Sequence, residues 1–220
     1  MILQQETGAP IWGWATPGEK VKVDGSWGEE ETAIADTDGN WMVMLQTPSY
    51  GGPYGLSIEG KNRIELSDVM FGEVWLCAGQ SNMGWRLGAT FEGKEDGDSA
   101  EDSDFRIFRA ERSHNVEPQN DCVGEWKRCT PVSAEACSAV SFYFARKLRE
   151  ELGIPVGIVI QPYAGTPIEG WMPKDIQMGD PRTRAIIETC STITRAFLHR
   201  HLERMIGPCW MQIITNLRIN

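Results

Sequence analysis

Hydrophobic and polar positions change rhythm near residue 70. Before it, short apolar runs recur about every ten residues, with Gly, Asp and Pro between them. This rhythm predicts strands at Ile11–Trp14, Lys20–Val23, Thr32–Ala35, Asn40–Leu45, Tyr54–Glu59 and Arg63–Leu66. In Asn40–Leu45, Trp41, Val43 and Leu45 alternate with Met42 and Met44, as a half-buried strand requires. Such spacing predicts a β-sandwich-like domain over residues 1–70. Asp36-Thr37-Asp38-Gly39-Asn40 has the acidic look of a calcium loop. It lacks the later acidic ligand, so it reads as a hairpin turn.

After residue 70 the pattern alternates strand and helix. Val74–Ala78 is a short apolar run and Phe105–Phe108 a weaker one. Residues 137–152 read as a helix. Val140, Phe144, Leu148 and Leu152 lie at i+4 spacing, and Gly153 and Pro155 mark the end. Val156–Gln161 is rich in β-branched residues, as a strand buried on both faces should be. A long helical pattern follows at about residues 182–206, with Ile186, Cys190, Ile193, Phe197 and Leu202 on one face. Gly207-Pro208 stops it, and Cys209–Ile214 reads as a third buried strand. This order predicts an α/β domain over residues 71–220 with a parallel, doubly wound sheet.

Charge and composition narrow the function. The net charge is −10, which argues against a nucleic-acid binder, since that would need clustered Lys and Arg. The acidity gathers in Glu92–Asp104, which reads as a solvated loop. No apolar run approaches the roughly 18 residues of a membrane span, and Met1-Ile2-Leu3-Gln4-Gln5 lacks the basic start of a signal peptide. Six cysteines occur without a C-x-x-C pair, which argues against zinc. Cys122 and Cys129 are near enough in sequence to bridge in an oxidising compartment. Cys77 reads as a buried free thiol. Trp12, Trp14, Trp27 and Trp41 offer faces on which a sugar could stack, and core packing of the β domain is the favoured role for most of them.

The candidate chemistry sits at Gly79-Gln80-Ser81-Asn82-Met83, directly after Val74–Ala78. A strand ending in glycine delivers a serine to the C-terminal edge of a sheet, where α/β proteins place ligands. A helix starting just after Ser81 would aim its free N–H groups at the site, which suits acyl transfer through an oxyanion. The alternative is a serine that only caps a helix.

Gly72–Met83 resembles the nucleophile block of sialate O-acetylesterases, in the SGNH hydrolase superfamily. Ile2–Gln5, Ile11–Glu19 and Gly51–Tyr54 are similar to that family's N-terminal β-domain. Ser138–Arg146 resembles its helix after the nucleophile. Val156–Ile160 and Ala164–Pro173 resemble its second glycine block. The resemblance runs in order from residue 2 to about residue 175.

This likeness implies a carbohydrate O-acetylesterase with a Ser81 nucleophile, an acetylated carbohydrate as substrate, and no metal or organic cofactor. It assigns the oxyanion hole to Ser81 and Gly165, with Gln212 as a further donor. Asn82 and Met83 would shape the start of the following helix. Glu169 and Trp171 would sit at the mouth of the site. The third block reads Trp210-Met211-Gln212-Ile213-Ile214-Thr215-Asn216, where the family has glycine and glutamate at the positions of Ile213 and Ile214. Relatives take their base from an Asp-x-x-His motif. Here none of His114, His199 and His201 has Asp three residues before it. The chain therefore reads as the N-terminal portion of a longer enzyme, with an incomplete SGNH-type α/β/α sheet. A sugar-binding or scaffold protein that lacks the base is the second reading. The resemblance also implies a secreted, periplasmic or lysosomal location, although the start of the sequence has no signal-peptide pattern.

Overall fold

The computed structural model describes residues 1–111, 121–166 and 174–189. Seven strands open the chain: β1 (Ile2–Gln4), β2 (Gly8–Trp14), β3 (Lys20–Gly25), β4 (Glu29–Ile34), β5 (Asn40–Gln46), β6 (Gly51–Glu59) and β7 (Arg63–Gly79). Then come α1 (Gly93–Asp98), β8 (Asp102–Ala110), β9 (Gly124–Cys129), α2 (Pro131–Glu135), α3 (Ala139–Leu152), β10 (Val156–Pro162), α4 (Lys174–Gly179) and α5 (Pro181–Thr189). The architecture is mixed α/β and dominated by one sheet.

That sheet runs in the order β4-β3-β6-β7-β10-β8-β9, with β1 added beside β7. β2 and β5 form a separate antiparallel pair. Strict alternation in β5 turns Trp41, Val43 and Leu45 inward. They meet Val21, Val23, Leu56, Ile58 and Phe71 of the large sheet in one core. Trp41 is buried there, and the Trp27 ring stands edge-on to Phe71 at 4.9 Å. Trp12 and Trp14 are not in this core: they lie on the other face of β2 from Ile11, edge-on to each other at 5.1 Å. The turn at Asp36–Asn40 is fastened by the Asp36 carboxylate, which accepts from the N–H groups of Asp38 and Asn40. It is not a hairpin, because β4 pairs with β3 while β5 pairs with β2.

Strand β7 holds the molecule together. The sequence reads Arg63–Leu66 and Val74–Ala78 as two separate strands. The structure makes them one strand of 17 residues. Two residues, Ser67 and Asp68, there oppose Gly55 alone, and Asp68 takes a left-handed φ of 69°. A bulge of this kind bends a strand without ending it. β7 is antiparallel to β6 in its first half and parallel to β10 from Glu73 to Gly79. It therefore crosses the boundary at residue 70 without a break.

β10 lies between β7 and β8, parallel to both. β9 closes this side antiparallel to β8. Sequence reasoning missed β9 because Glu125, Lys127 and Arg128 disguise an edge strand as a loop. β9 also holds apart Cys122 and Cys129, the pair near enough in sequence to bridge in an oxidising compartment. Extended chain of about 3.3 Å per residue separates the two, beyond the roughly 7 Å limit for linked Cα atoms. Cys122 packs beside Phe108, while Cys129 packs in the core with Cys137.

The acidic stretch Glu92–Asp104 is likewise not a simple loop. It contains α1 and the start of β8. Asp96 accepts from Tyr143 (2.7 Å) and Arg146 (2.8 Å), and Asp102 from Arg149 (2.9 Å). Much of this acidity pins α3 to the sheet. No helix among the described residues is long and apolar enough to cross a membrane.

Candidate active site

Gly79 ends β7, Pro162 ends β10, and the two are register partners. Both loops leave the sheet at one place, the C-terminal edge of a parallel pair. The Tyr163 N–H donates to the Gly79 carbonyl at 2.8 Å and ties the loops together.

Beyond Gly79 the chain makes a single tight turn. The Gly84 N–H donates to the carbonyls of Gln80 and Ser81, each at 3.1 Å. Ser81 and Asn82 are exposed at its tip. Among the described residues, nothing accepts from the backbone N–H groups of Ser81, Asn82 and Met83. They are the open donors of a helical first turn. The helix expected from Asn82 and Met83 onward does not form. The Leu87 N–H donates to Cys137, and the Ala139 N–H to Trp85, each at 2.9 Å. These bonds pull the chain away after one turn.

Met83 anchors the turn from beneath. Its sulfur accepts from the hydroxyls of Ser141 (3.3 Å) and Ser138 (3.5 Å). Ser138 also caps α3 by accepting from the Ser141 N–H. Glycine at 79 permits this seat, because a Cβ there would lie 3.0 Å from the Met83 Cβ. The cap at Ser138 is legible as a sequence signal. Its contact with Met83 is not, since 55 residues separate the two.

Gly165 lies in the adjacent loop, exposed, with a left-handed φ of 75°. Buried Thr166 closes the loop by donating to the Tyr163 carbonyl at 2.8 Å. The structure thus brings the Ser81 turn and the Gly165 loop side by side. Gln212, Glu169, Trp171, His114, His199 and His201 lie outside the described residues.

Three thiols lie in the core of this half, Cys77, Cys129 and Cys137. Burial pushes Cys77 up, and it pushes Cys129 up to about 12, helped by the nearby charges of Asp102 and Glu101. Burial raises Cys137 further. Neutral, inaccessible thiols do not compete with Ser81 as nucleophiles. Among the described residues, no group of three His, Cys, Asp or Glu side chains could hold a metal ion.

An exposed serine on a tight turn at the C-terminal edge of a parallel strand pair is an arrangement used by α/β hydrolytic enzymes. Residues 71–212 match the family model of carbohydrate esterases described as sialic acid-specific acetylesterases, and the chain belongs to that family. Mouse (Mus musculus) sialate O-acetylesterase is 29% identical over 254 residues, covering 100% of this chain and 47% of that protein. The rat (Rattus norvegicus) sialate O-acetylesterase is 34% identical over 206 residues, covering 84% and 38%. A crystal structure of a carbohydrate acetylesterase from Xanthomonas citri superimposes with a TM-score of 0.77 at 37% identity. It covers 83% of this chain and 42% of the other. The chain spans less than half the length of these relatives.

Proposed function

We propose that this chain carries the nucleophile-bearing portion of a carbohydrate O-acetylesterase. The supporting observation is the exposed Ser81 on its glycine-seated turn, beside the Gly165 loop. In this reading the Ser81 hydroxyl attacks the acetyl carbonyl and gives up its proton to a base. The ester C–O bond breaks and the sugar leaves as an alcohol, taking a proton. Water then hydrolyses the acetyl-Ser81 ester to acetate and restores the serine. The N–H of Ser81, the N–H of Gly165 and the Gln212 side chain would share the oxyanion, while Asn82, Glu169 and Trp171 line the mouth.

The finer fold reading belongs here as well. Residues 1–70 form a β-sandwich-like domain, and residues 71–220 the SGNH-type domain of the family. The unbroken β7 makes the two one mechanical unit. No metal or organic cofactor enters the reaction, and acetylated carbohydrate is the partner.

Acetate release from p-nitrophenyl acetate by the chain and by Ser81→Ala tests the reading. Serine-dependent turnover, lowered at least about 10³-fold in the variant, is expected. Equal rates from two folded proteins would overturn it for this chain and leave a sugar-binding role.

A further inference from the structure

Trp85 ends the turn that carries Ser81. Its N–H donates to the Asn82 carbonyl at 3.2 Å, and the bond from the Gly84 N–H to the Gln80 carbonyl closes the turn before it. Residues four apart on such a turn are neighbours, with roughly 5–6 Å between their Cβ atoms. At about 100° per residue, Ser81 and Trp85 stand about 40° apart, and Met83 about 160° from each. Met83 points inward, to the hydroxyls of Ser138 and Ser141. The opposite face carries Ser81 and Trp85, and it is open: Ser81 is exposed and Trp85 is 56% exposed.

A single exposed apolar ring needs no explanation. Three features set this one apart. It is turned out between two anchors, Met83 seated on α3 and Leu87 fully buried in the core. Its backbone is clamped, because the Ala139 N–H donates to the Trp85 carbonyl at 2.9 Å and Arg86 forms a β-bridge with Ser138. Its ring is aimed, because the indole N–H donates to the Ala89 carbonyl at 3.2 Å. That bond satisfies the polar edge of the indole while its faces stay in solvent.

A broad flat surface is therefore held in one orientation on the side of the turn that carries the serine. Ligands that meet such a surface lose little freedom on the protein's side, since the ring is already ordered. The π face is electron-rich, and the C–H bonds along one side of a pyranose ring carry a slight positive charge, so the two faces attract. One helical turn also suits the span between an ester carbonyl and the sugar ring that bears it.

We propose that Trp85 is a substrate-binding residue, whose indole face stacks on the C–H face of the sugar ring that presents its acetyl ester to Ser81. The inference rests on the acetylesterase reading and names what holds the substrate's ring. Stacking of this kind selects a pyranose with an unbroken C–H face, by shape and not by charge.

The test reads binding in the whole chain carrying Ser81→Ala, so that no ester is consumed. The probe is methyl 6-O-acetyl-β-D-galactopyranoside, whose H3, H4 and H5 share one face of the ring while H2 stands on the other. Saturation-transfer NMR, titrated to about 20 mM, gives both Kd and the face in contact. Saturation should concentrate on H3, H4 and H5. Adding Trp85→Ala should raise Kd about fivefold, the scale of a lost aromatic stack. Trp85→Phe keeps a flat face without the bond to Ala89 and should stay within about twofold. Tyr50→Ala should change nothing, since that exposed ring lies beside Gly153 and Pro155 at the far end of β10. Circular dichroism shows that each variant is folded. An unchanged Kd in Trp85→Ala, a Trp85→Phe as weak as Trp85→Ala, saturation shared evenly by both ring faces, or no saturable binding would each overturn the proposal. Ser81-dependent acetate release is measured apart from all of these, so the two readings fail separately.

Discussion

At the scale of single residues, the site depends on how closely two backbone segments approach. Ser81 was legible in the sequence because a strand, a glycine and a serine are contiguous. The seat of its turn was not, because Met83 reaches Ser138 and Ser141 only once α3 has docked. Gly79 is the residue where the two meet. Gly79→Ala would place a Cβ 3.0 Å from that of Met83 and push the turn outward. A cost of about 1–3 kcal/mol is expected, as for other overpacked sites. Urea unfolding measures it, and a change below about 0.5 kcal/mol, the range of neutral surface substitutions, would mean that Met83 is not seated there. Met83→Leu keeps the volume and loses the sulfur acceptor. It should cost less than about 1.5 kcal/mol, as volume-conserving swaps do.

At the scale of elements, α3 shows why periodicity located the helix and still misjudged its face. The i+4 row Val140, Phe144, Leu148 and Leu152 looks like the core stripe. In the structure Val140 is 51% exposed and Leu152 50%. The buried residues are Ala139, Ser141, Phe142 and Ala145. Two of these are alanines and one is a serine, small residues that a hydrophobic pattern undervalues. They let α3 lie close to the sheet, where Phe142 stacks near Phe105 at 5.9 Å between ring centres. Phe142→Ala should therefore cost about 3–5 kcal/mol. Val140→Ala, on the other stripe, should stay within about 0.5 kcal/mol of the parent. Differential scanning calorimetry separates the two outcomes. Reversed magnitudes would restore the face that periodicity favours. β9 was lost for the opposite reason, since its exposed charges hid an edge strand that pairs with β8 alone.

At the scale of the whole molecule, one strand and one charged cluster join the two halves. Sequence reasoning put a change of rhythm near residue 70, and β7 runs straight through that position. Only the pairing of β7 with β6 as far as Phe71 and with β10 from Glu73 onward shows continuity. Asp68 sits at the bulge in β7. It takes a bidentate pair from Arg106 at 2.7 and 2.8 Å and a further bond from Arg128 at 3.0 Å. Arg106 is 4% exposed, so its charge depends on this carboxylate. Asp68→Asn isolates the charge. Asparagine tolerates the left-handed φ of 69°, so the backbone need not change. The variant should lose about 2–4 kcal/mol, somewhat less than for a fully buried pair because Asp68 is partly solvated.

The pH dependence then has a definite sign. Hydrogen bonds from Arg106, followed by those from Arg128 and the charges of both, hold the Asp68 carboxyl well below the usual carboxylate range, against its desolvation. A depressed folded-state pKa gives stability that is complete above the unfolded value of about 4 and drains away as pH falls below it. Parent and Asp68→Asn should therefore differ most near neutral pH, and the gap should narrow steadily below about pH 4. Thermal melts of both proteins between pH 7 and the acid limit measure it. A gap that stays constant through that window would mean that Asp68 joins the halves through the shape of the bulge rather than through its charge.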